Sequence, residues 1–177
     1  PTAGASALRE LAHLLVFAER LTDMEAGTTV NCTVASGGSA GNVISERAMA
    51  HFDVRVLRME EASRVLDALH GYTPHDARVS VTWSGGINRP PMEQTDANAV
   101  LAVEGRRTAE ALGLPWTEAV VGGGSDGNFT SALGIATLDG LGSVGGGAHA
   151  RHEHIRIQET LDRVALVAGL LLGVGRA

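Results

Sequence analysis

Lysine is absent from this chain: all 14 basic residues are arginine. Codon composition accounts for that bias, since no physical argument requires it. Cysteine is almost absent too. The one thiol, Cys32, excludes an internal disulfide and any cysteine-rich zinc module. It lies in a strand-like run and reads as an inert buried thiol. Positive charge is in deficit, and a net charge of −6 lacks the basic stripe that marks a nucleic-acid binder. Long apolar runs are missing as well. The longest, Val164 to Leu172, is about half of the roughly 20 residues a membrane-spanning helix needs. No basic segment precedes an apolar stretch in the manner of a signal peptide, so a cytoplasmic location is expected.

What is present is enough to fold. With 177 residues, 44% of them hydrophobic, the chain suits one ordinary domain or two small ones. Leu8, Leu11, Ala12, Leu15 and Ala18 recur at helical spacing and predict a helix over Ala5 to Thr22. A β-branched run predicts a strand from Thr28 to Val34, followed by a glycine-rich link, Ser36 to Gly41. Arg47 to Leu57 alternates, with Ala48, Ala50, Phe52, Val54 and Val56 on one face, as a half-buried strand does. Met59 to His70 reads as a second amphipathic helix and Val79 to Trp83 as another alternating strand. This order, α-β-β-α-β, is the split β-α-β-β-α-β sheet without its first strand. A helix that opens such a domain would leave a sheet edge unpaired. Together with the missing initiator Met, this leads to the expectation that Pro1 falls inside a domain.

The second half changes character after the rigid connector Arg89-Pro90-Pro91. Expected there are a helix from Asp96 to Leu112, a short strand from Glu118 to Val121, and a loop from Gly122 to Asn128. A short helix, a buried strand from Ile135 to Leu138, a long glycine-rich loop and a terminal helix from Gln158 to Leu172 complete it. Helices alternating with short strands indicate an α/β layer.

Chemistry has three candidate seats. Three of the seven histidines fall in the run His149-Ala150-Arg151-His152-Glu153-His154. Imidazole is a common zinc ligand, although a solvated polar loop has the same composition. His149 is the best ligand candidate, because the preceding Gly145-Gly146-Gly147 lets backbone approach an ion. The Gly122-to-Asn128 loop reads either as a backbone cradle for an anion or as a nucleophile elbow. The second reading rests on a G-x-S-x-G match at Gly123 to Gly127, with Asp139 and His149 following Ser125. Ser125 or Asp126 would cap the next helix in either case. Asp53 and Arg55 share a strand face; they make either a surface ion pair or an oriented guanidinium for a carboxylate.

The succession of these motifs resembles one family. Asn31, Gly37-Gly38, Asn42-Val43-Ile44 and Asp53-Val54-Arg55 are similar to the lid, or dimerisation, domain of the co-catalytic dizinc peptidases and aminoacylases. That family includes glutamate carboxypeptidase, acetylornithine deacetylase and succinyl-diaminopimelate desuccinylase. Arg89-Pro90, the Gly122-Gly123-Gly124-Ser125-Asp126-Gly127-Asn128 loop, and His149 with Glu153 resemble the closing third of the catalytic domain, most like the glutamate carboxypeptidase branch.

The resemblance implies an α/β fold in two parts. Residues 1–87 would be an α+β lid of ferredoxin-like type, truncated at its N-terminus, and 88–177 the C-terminal segment of the catalytic domain. It implies His149 as the last zinc ligand of a two-metal site, with cobalt or manganese as alternative ions. It implies Asn42 and Arg55 as lid residues gripping a substrate carboxylate, Gly124 and Ser125 lining the same pocket, and Arg89 as a second carboxylate contact. The implied reaction is hydrolysis of an amide next to a free carboxylate, in an N-acyl amino acid or a C-terminal glutamate, by a metal-bound hydroxide. The implied assembly is a homodimer through the lid. The family's other ligands and its general base have no counterpart after Pro1. The chain is therefore expected to be a C-terminal portion, inactive and weak in zinc binding by itself, with the missing N-terminal fragment as a partner. The other reading is a non-catalytic dimerisation or binding module derived from that family.

Overall fold

A computed structural model describes residues 4–175. They form two compact units, 1–91 and 92–177. The first is a mixed α/β unit. Helix α1 spans Ala7–Glu19. It starts later than the periodicity suggests because Ser6 caps it, its hydroxyl accepting from the Arg9 N–H at 3.3 Å. Strands β1 (Thr29–Gly37) and β2 (Ala48–Arg55) pair antiparallel from Thr29↔Arg55 to Gly37↔Ala48. Thr33 is an extra residue between the Cys32↔Phe52 and Val34↔His51 pairs, a bulge that bends the ribbon. Helix α2 (Met59–His70) lies on the ribbon with α1. The core is Ala18 of α1, Val30 of β1, and Val65 and Leu69 of α2, flanked by Phe17, Leu21, Phe52 and Trp83.

Three expectations need correction here. Val79 to Trp83 forms no ladder among the described residues, although Val79, Val81 and Trp83 are half-buried while Ser80 and Thr82 are exposed. The side chains keep the alternation of a strand. The backbone lacks a neighbour, because the last strand of a split β-α-β-β-α-β sheet lies beside the first, and no described residue supplies that first strand. Val54 is exposed at the open end of β2. Cys32 is half-buried, its thiol directed at the Val34 carbonyl, 3.4 Å away.

Two buried carboxylates fasten unit 1. Glu61 of α2 accepts from the Thr28 hydroxyl at 2.6 Å and from the guanidinium of Arg64, which also donates to the Leu21 carbonyl. Glu10 of α1, 3% exposed, accepts from the Tyr72 hydroxyl at 2.6 Å. It also accepts from the N–H groups of His75 and Asp76 at 3.0 and 3.2 Å, tying the turn after α2 to α1.

Unit 2 carries α3 (Asp96–Ala111), α4 (Gly127–Ala132) and α5 (Ile157–Leu172). Its only sheet among the described residues is the pair β3 (Gly145–Gly146) and β4 (His154–Ile155). Thr95 caps α3, its hydroxyl accepting from Asn98 N–H at 3.1 Å. α3 and α5 approach closely through small side chains: a Cβ on Gly169 would sit 2.8 Å from Thr108 Cγ2. The Thr108 hydroxyl then donates to the Val174 carbonyl beyond α5, at 2.9 Å. Gly173 ends α5 with φ 72°, the left-handed turn that glycine adopts without strain.

The expected strands Glu118 to Val121 and Ile135 to Leu138 do not form. Val120, Val121 and Ile135 are 79, 70 and 55% exposed. Strand-forming residues need a neighbouring strand to pair with, and β3 and β4 are engaged with each other.

Candidate functional site

In unit 1 the candidate residues lie on one hairpin and on the connector after it. β1 ends at Gly37, and Gly38, with φ 81°, turns the chain into the 38–47 loop. Asn42 sits exposed in the turn of that loop. The loop is closed at its base by Gly38 N–H to the Arg47 carbonyl, and anchored where Ala7 N–H donates to the Ser45 carbonyl at 2.9 Å. Arg55 is the last residue of β2, and its Nε donates to Asp53 Oδ2 at 2.8 Å. The two readings of this pair are therefore compatible: the ion pair exists, and it holds the guanidinium on the outer face of β2. Exposed as it is, the pair adds little to stability. Arg89 is also exposed, in the segment ending at Pro91.

In unit 2 the Gly122-to-Asn128 loop is held by its own side chains. The backbone N–H of Ser125 donates to Asn128 Oδ1 at 2.8 Å. The Ser125 hydroxyl accepts from the N–H of Gly127, the first residue of α4, at 3.0 Å, while the N-cap residue Asp126 makes no side-chain cap bond. The same hydroxyl donates to Asp139 Oδ2 at 2.7 Å. That contact removes the nucleophile-elbow reading. A serine nucleophile gives its proton to an imidazole that a carboxylate orients, whereas here serine and carboxylate meet with no histidine between them. Gly124 is exposed.

His149 lies in the turn between β3 and β4. It is the only non-glycine among the described residues with positive φ, 67°. The hairpin is pinned by Arg156 N–H to the Val144 carbonyl and Ala150 N–H to the Gly147 carbonyl, both 2.8 Å. The neighbouring imidazoles are folded against the glycines: His152 lies over Gly147, and His154 over Gly146. A non-glycine residue in the left-handed region costs on the order of 1 kcal/mol, although histidine is among the residues that adopt it more often.

One imidazole falls short of the three protein ligands a catalytic zinc takes. No group of three or more His, Cys, Asp or Glu residues able to hold a metal ion occurs among the described residues. His149 suits one ligand position, and the described residues do not complete a metal site.

Sequence reasoning missed the Glu10 cluster. Beside it His13 and His75 stack with ring centroids 4.2 Å apart, and Asp76 is gripped by Arg78 and Arg9. Glu10 and its partners lie 62 to 66 positions apart, so no local pattern reports them. Asn98 was missed as well. Its amide bridges the Ser131 hydroxyl and the Thr137 N–H, which joins α3 to both sides of the α4 turn.

Residues 1–79 match the family described as the peptidase dimerisation domain. Over 181 aligned residues the chain is 26% identical to carboxypeptidase G2 of Pseudomonas sp. strain RS-16, covering 99% of this chain and 43% of that protein. Its structure is similar to that of aminopeptidase PepT from Bacillus cereus ATCC 10987, with a TM-score of 0.75 and 23% identity over 98% of this chain and 47% of the other. It is also similar to a tripeptidase from Staphylococcus aureus subsp. aureus Mu50, with a TM-score of 0.71 and 21% identity over 100% of this chain and 48% of the other. The chain spans less than half the length of each of these relatives. No helix among the described residues is long and apolar enough to cross a membrane. Residues 1–79 thus match a peptidase dimerisation domain, and the chain as a whole is similar to carboxypeptidase G2 and shares the fold of the two solved peptidases.

Proposed function

We propose that this chain supplies the lid and the closing part of a zinc-dependent hydrolase that cleaves an amide bond next to a free carboxylate. The substrate class is an N-acyl amino acid or a peptide ending in glutamate. The observation that carries this reading is the end-to-end alignment with carboxypeptidase G2, 99% of the chain, with the lid motifs and the Gly122-to-His149 motifs in family order.

Within unit 1, Asn42 and Arg55 are the proposed carboxylate contacts, with Arg89 adding to them. A guanidinium matches a carboxylate bidentately, and Asp53 orients this one through Nε. Within unit 2, Gly124 and Ser125 contribute a loop already fixed by Asn128 and Asp139. His149 is the proposed zinc ligand. Zinc would supply the hydrolytic chemistry when bound. With His149 as the one proposed ligand among the described residues, the chain alone is proposed not to hydrolyse.

The dimerisation domain supports a homodimer through unit 1. Each strand of the β1–β2 ribbon pairs on one side only among the described residues, and an unpaired edge is what a second copy extends.

The test is a substrate pair on the full product of the reading frame that holds residues 1–177. Arg55→Ala should raise KM for an N-acyl glutamate by roughly 10- to 100-fold, the worth of a lost charge-assisted hydrogen bond. Cleavage of the same compound with its α-carboxylate capped as an amide should be slow in both proteins and unchanged by the substitution. Equal losses on both substrates would contradict a carboxylate grip at Arg55.

A further inference from the structure

The loop from Gly38 to Arg47, which carries Asn42, has one buried residue. Ser45 is 5% exposed, and every other residue of the loop is exposed. Neither a strand nor a helix lies within it. An exposed segment of that kind keeps a fixed shape only where something holds it. Ser45 supplies two of the holds. Its hydroxyl donates to the Arg47 carbonyl at 2.8 Å, the same oxygen that accepts from Gly38 N–H at 3.4 Å. Both ends of the loop therefore meet on one acceptor. The Ser45 carbonyl accepts in turn from the N–H of Ala7, the first residue of α1. That N–H has no intrahelical partner, so the bond satisfies the helix start as well.

The start of α1 touches the loop at two further points. Leu8 lies against the entry to the loop: a Cβ on Gly37 or Gly38 would stand 2.9 or 3.2 Å from its side-chain carbons. Ile44, next to Ser45, lies over Gly4, where a Cβ would come within 2.7 Å of Ile44 Cδ1. The helix is itself immobilised, since Glu10, three residues beyond Ala7, ties it to the turn after α2. Asn42 stands three positions before Ser45, in a turn that Val43 N–H closes on the Ala40 carbonyl at 3.2 Å.

We infer that Ser45 is a positioning residue. With Ala7 and Leu8 it clamps the 38–47 loop to the start of α1, and so sets where Asn42 stands relative to Arg55. Asp53 orients Arg55 directly; the clamp does the same for Asn42 through the backbone. Two groups that share one carboxylate must hold their separation, because a misplacement of about 1 Å is enough to lose much of the grip. The inference rests on the reading of Asn42 and Arg55 as carboxylate contacts, and it adds the residue that keeps them in register.

The test uses the full product of the reading frame, an N-acyl glutamate, and the same compound with its α-carboxylate capped as an amide. Asn42→Ala should raise KM for the acid alone. Ser45→Ala should raise the same KM by roughly 3- to 10-fold with little change in kcat, the range for one lost hydrogen bond. Ser45→Thr, which keeps the hydroxyl, should recover most of that loss, and Leu8→Ala should repeat it from the other side of the clamp. In the Asn42→Ala background Ser45→Ala should add nothing, since the residue it positions is gone. Losses that add, losses equal on both substrates, or a parental KM in Ser45→Ala beside a raised one in Asn42→Ala would overturn the inference and leave the carboxylate grip standing. An unchanged KM in Asn42→Ala would overturn the grip at Asn42 and the inference with it.

Discussion

Glu10→Ala should cost unit 1 about 3 kcal/mol of stability, the largest single-residue loss expected in the protein. The substitution strands the Tyr72 hydroxyl and the N–H groups of His75 and Asp76, each of which donates to this carboxylate in a site that is 3% exposed. Unsatisfied buried donors cost about 1–3 kcal/mol each, partly relieved by relaxation. For a unit of this size the loss corresponds to a fall in Tm of roughly 15 °C. Tyr72→Phe, which removes one donor and leaves the carboxylate its two backbone partners, should cost about 1 kcal/mol.

The same carboxylates set the acid limit. Burial opposes ionisation of Glu10, but the hydrogen bonds from Tyr72 and the backbone outweigh it and hold the pKa at about 2. Glu61 is brought to about 2 by hydrogen bonds from Arg64 and Thr28, and Asp76 to about 2 by Arg78. Each folded value lies below the ordinary 4.5 or 3.8, so each group stabilises the fold above the ordinary value. That contribution is lost as pH falls through the window down to about 2. A plot of Tm against pH should be level from neutrality to about 5 and fall below it. In Glu10→Ala the fall should be shallower. An unchanged acid limb would show that Glu10 is not one of the groups that titrate on unfolding.

On the proposed ligand role, His149→Ala should lower turnover of the full product by at least about 100-fold and reduce its zinc content, since losing a ligand would exceed the 10- to 100-fold cost of disturbing a residue behind one. His149→Gly separates chemistry from strain. Its backbone adopts a φ of 67° freely, so the hairpin should gain up to about 1 kcal/mol while activity is lost as in the alanine variant. His152→Ala should leave most of the activity. A His149→Gly enzyme that still turns over would show that the left-handed turn, and not the imidazole, is what the position provides.

Local order was legible wherever the signal was local. The helices at 59–70 and 157–172 follow from apolar spacing, β1 from its β-branched run and β2 from its alternation, although β1 continues to Gly37 through residues expected in the glycine-rich link. The Ser125 contact with the first residue of α4 was one of several readings the sequence left open. Failures came where structure depends on a distant partner. Val79 to Trp83, Glu118 to Val121 and Ile135 to Leu138 have strand composition, but a strand is completed by its neighbour and none is placed beside them. The Ser125–Asp139 contact spans 14 residues and decides between a hydrolase elbow and a braced loop; only the fold reveals it. Glu10 looked like an ordinary charged residue on an amphipathic helix, because its three donors lie beyond the far end of α2. The candidate site residues rest on a succession of weak motifs, each carrying little by itself.

The most direct measurement is hydrolysis of an N-acyl glutamate by the full product, before and after chelation and with zinc restored. The account predicts activity that a chelator abolishes and zinc restores. It also predicts that Ser125→Ala loses less than about tenfold, since that hydroxyl braces a loop, and that residues 1–177 alone are inactive. Hydrolysis that survives chelation and disappears with Ser125→Ala would contradict it, as would zinc-dependent turnover by the 177-residue chain.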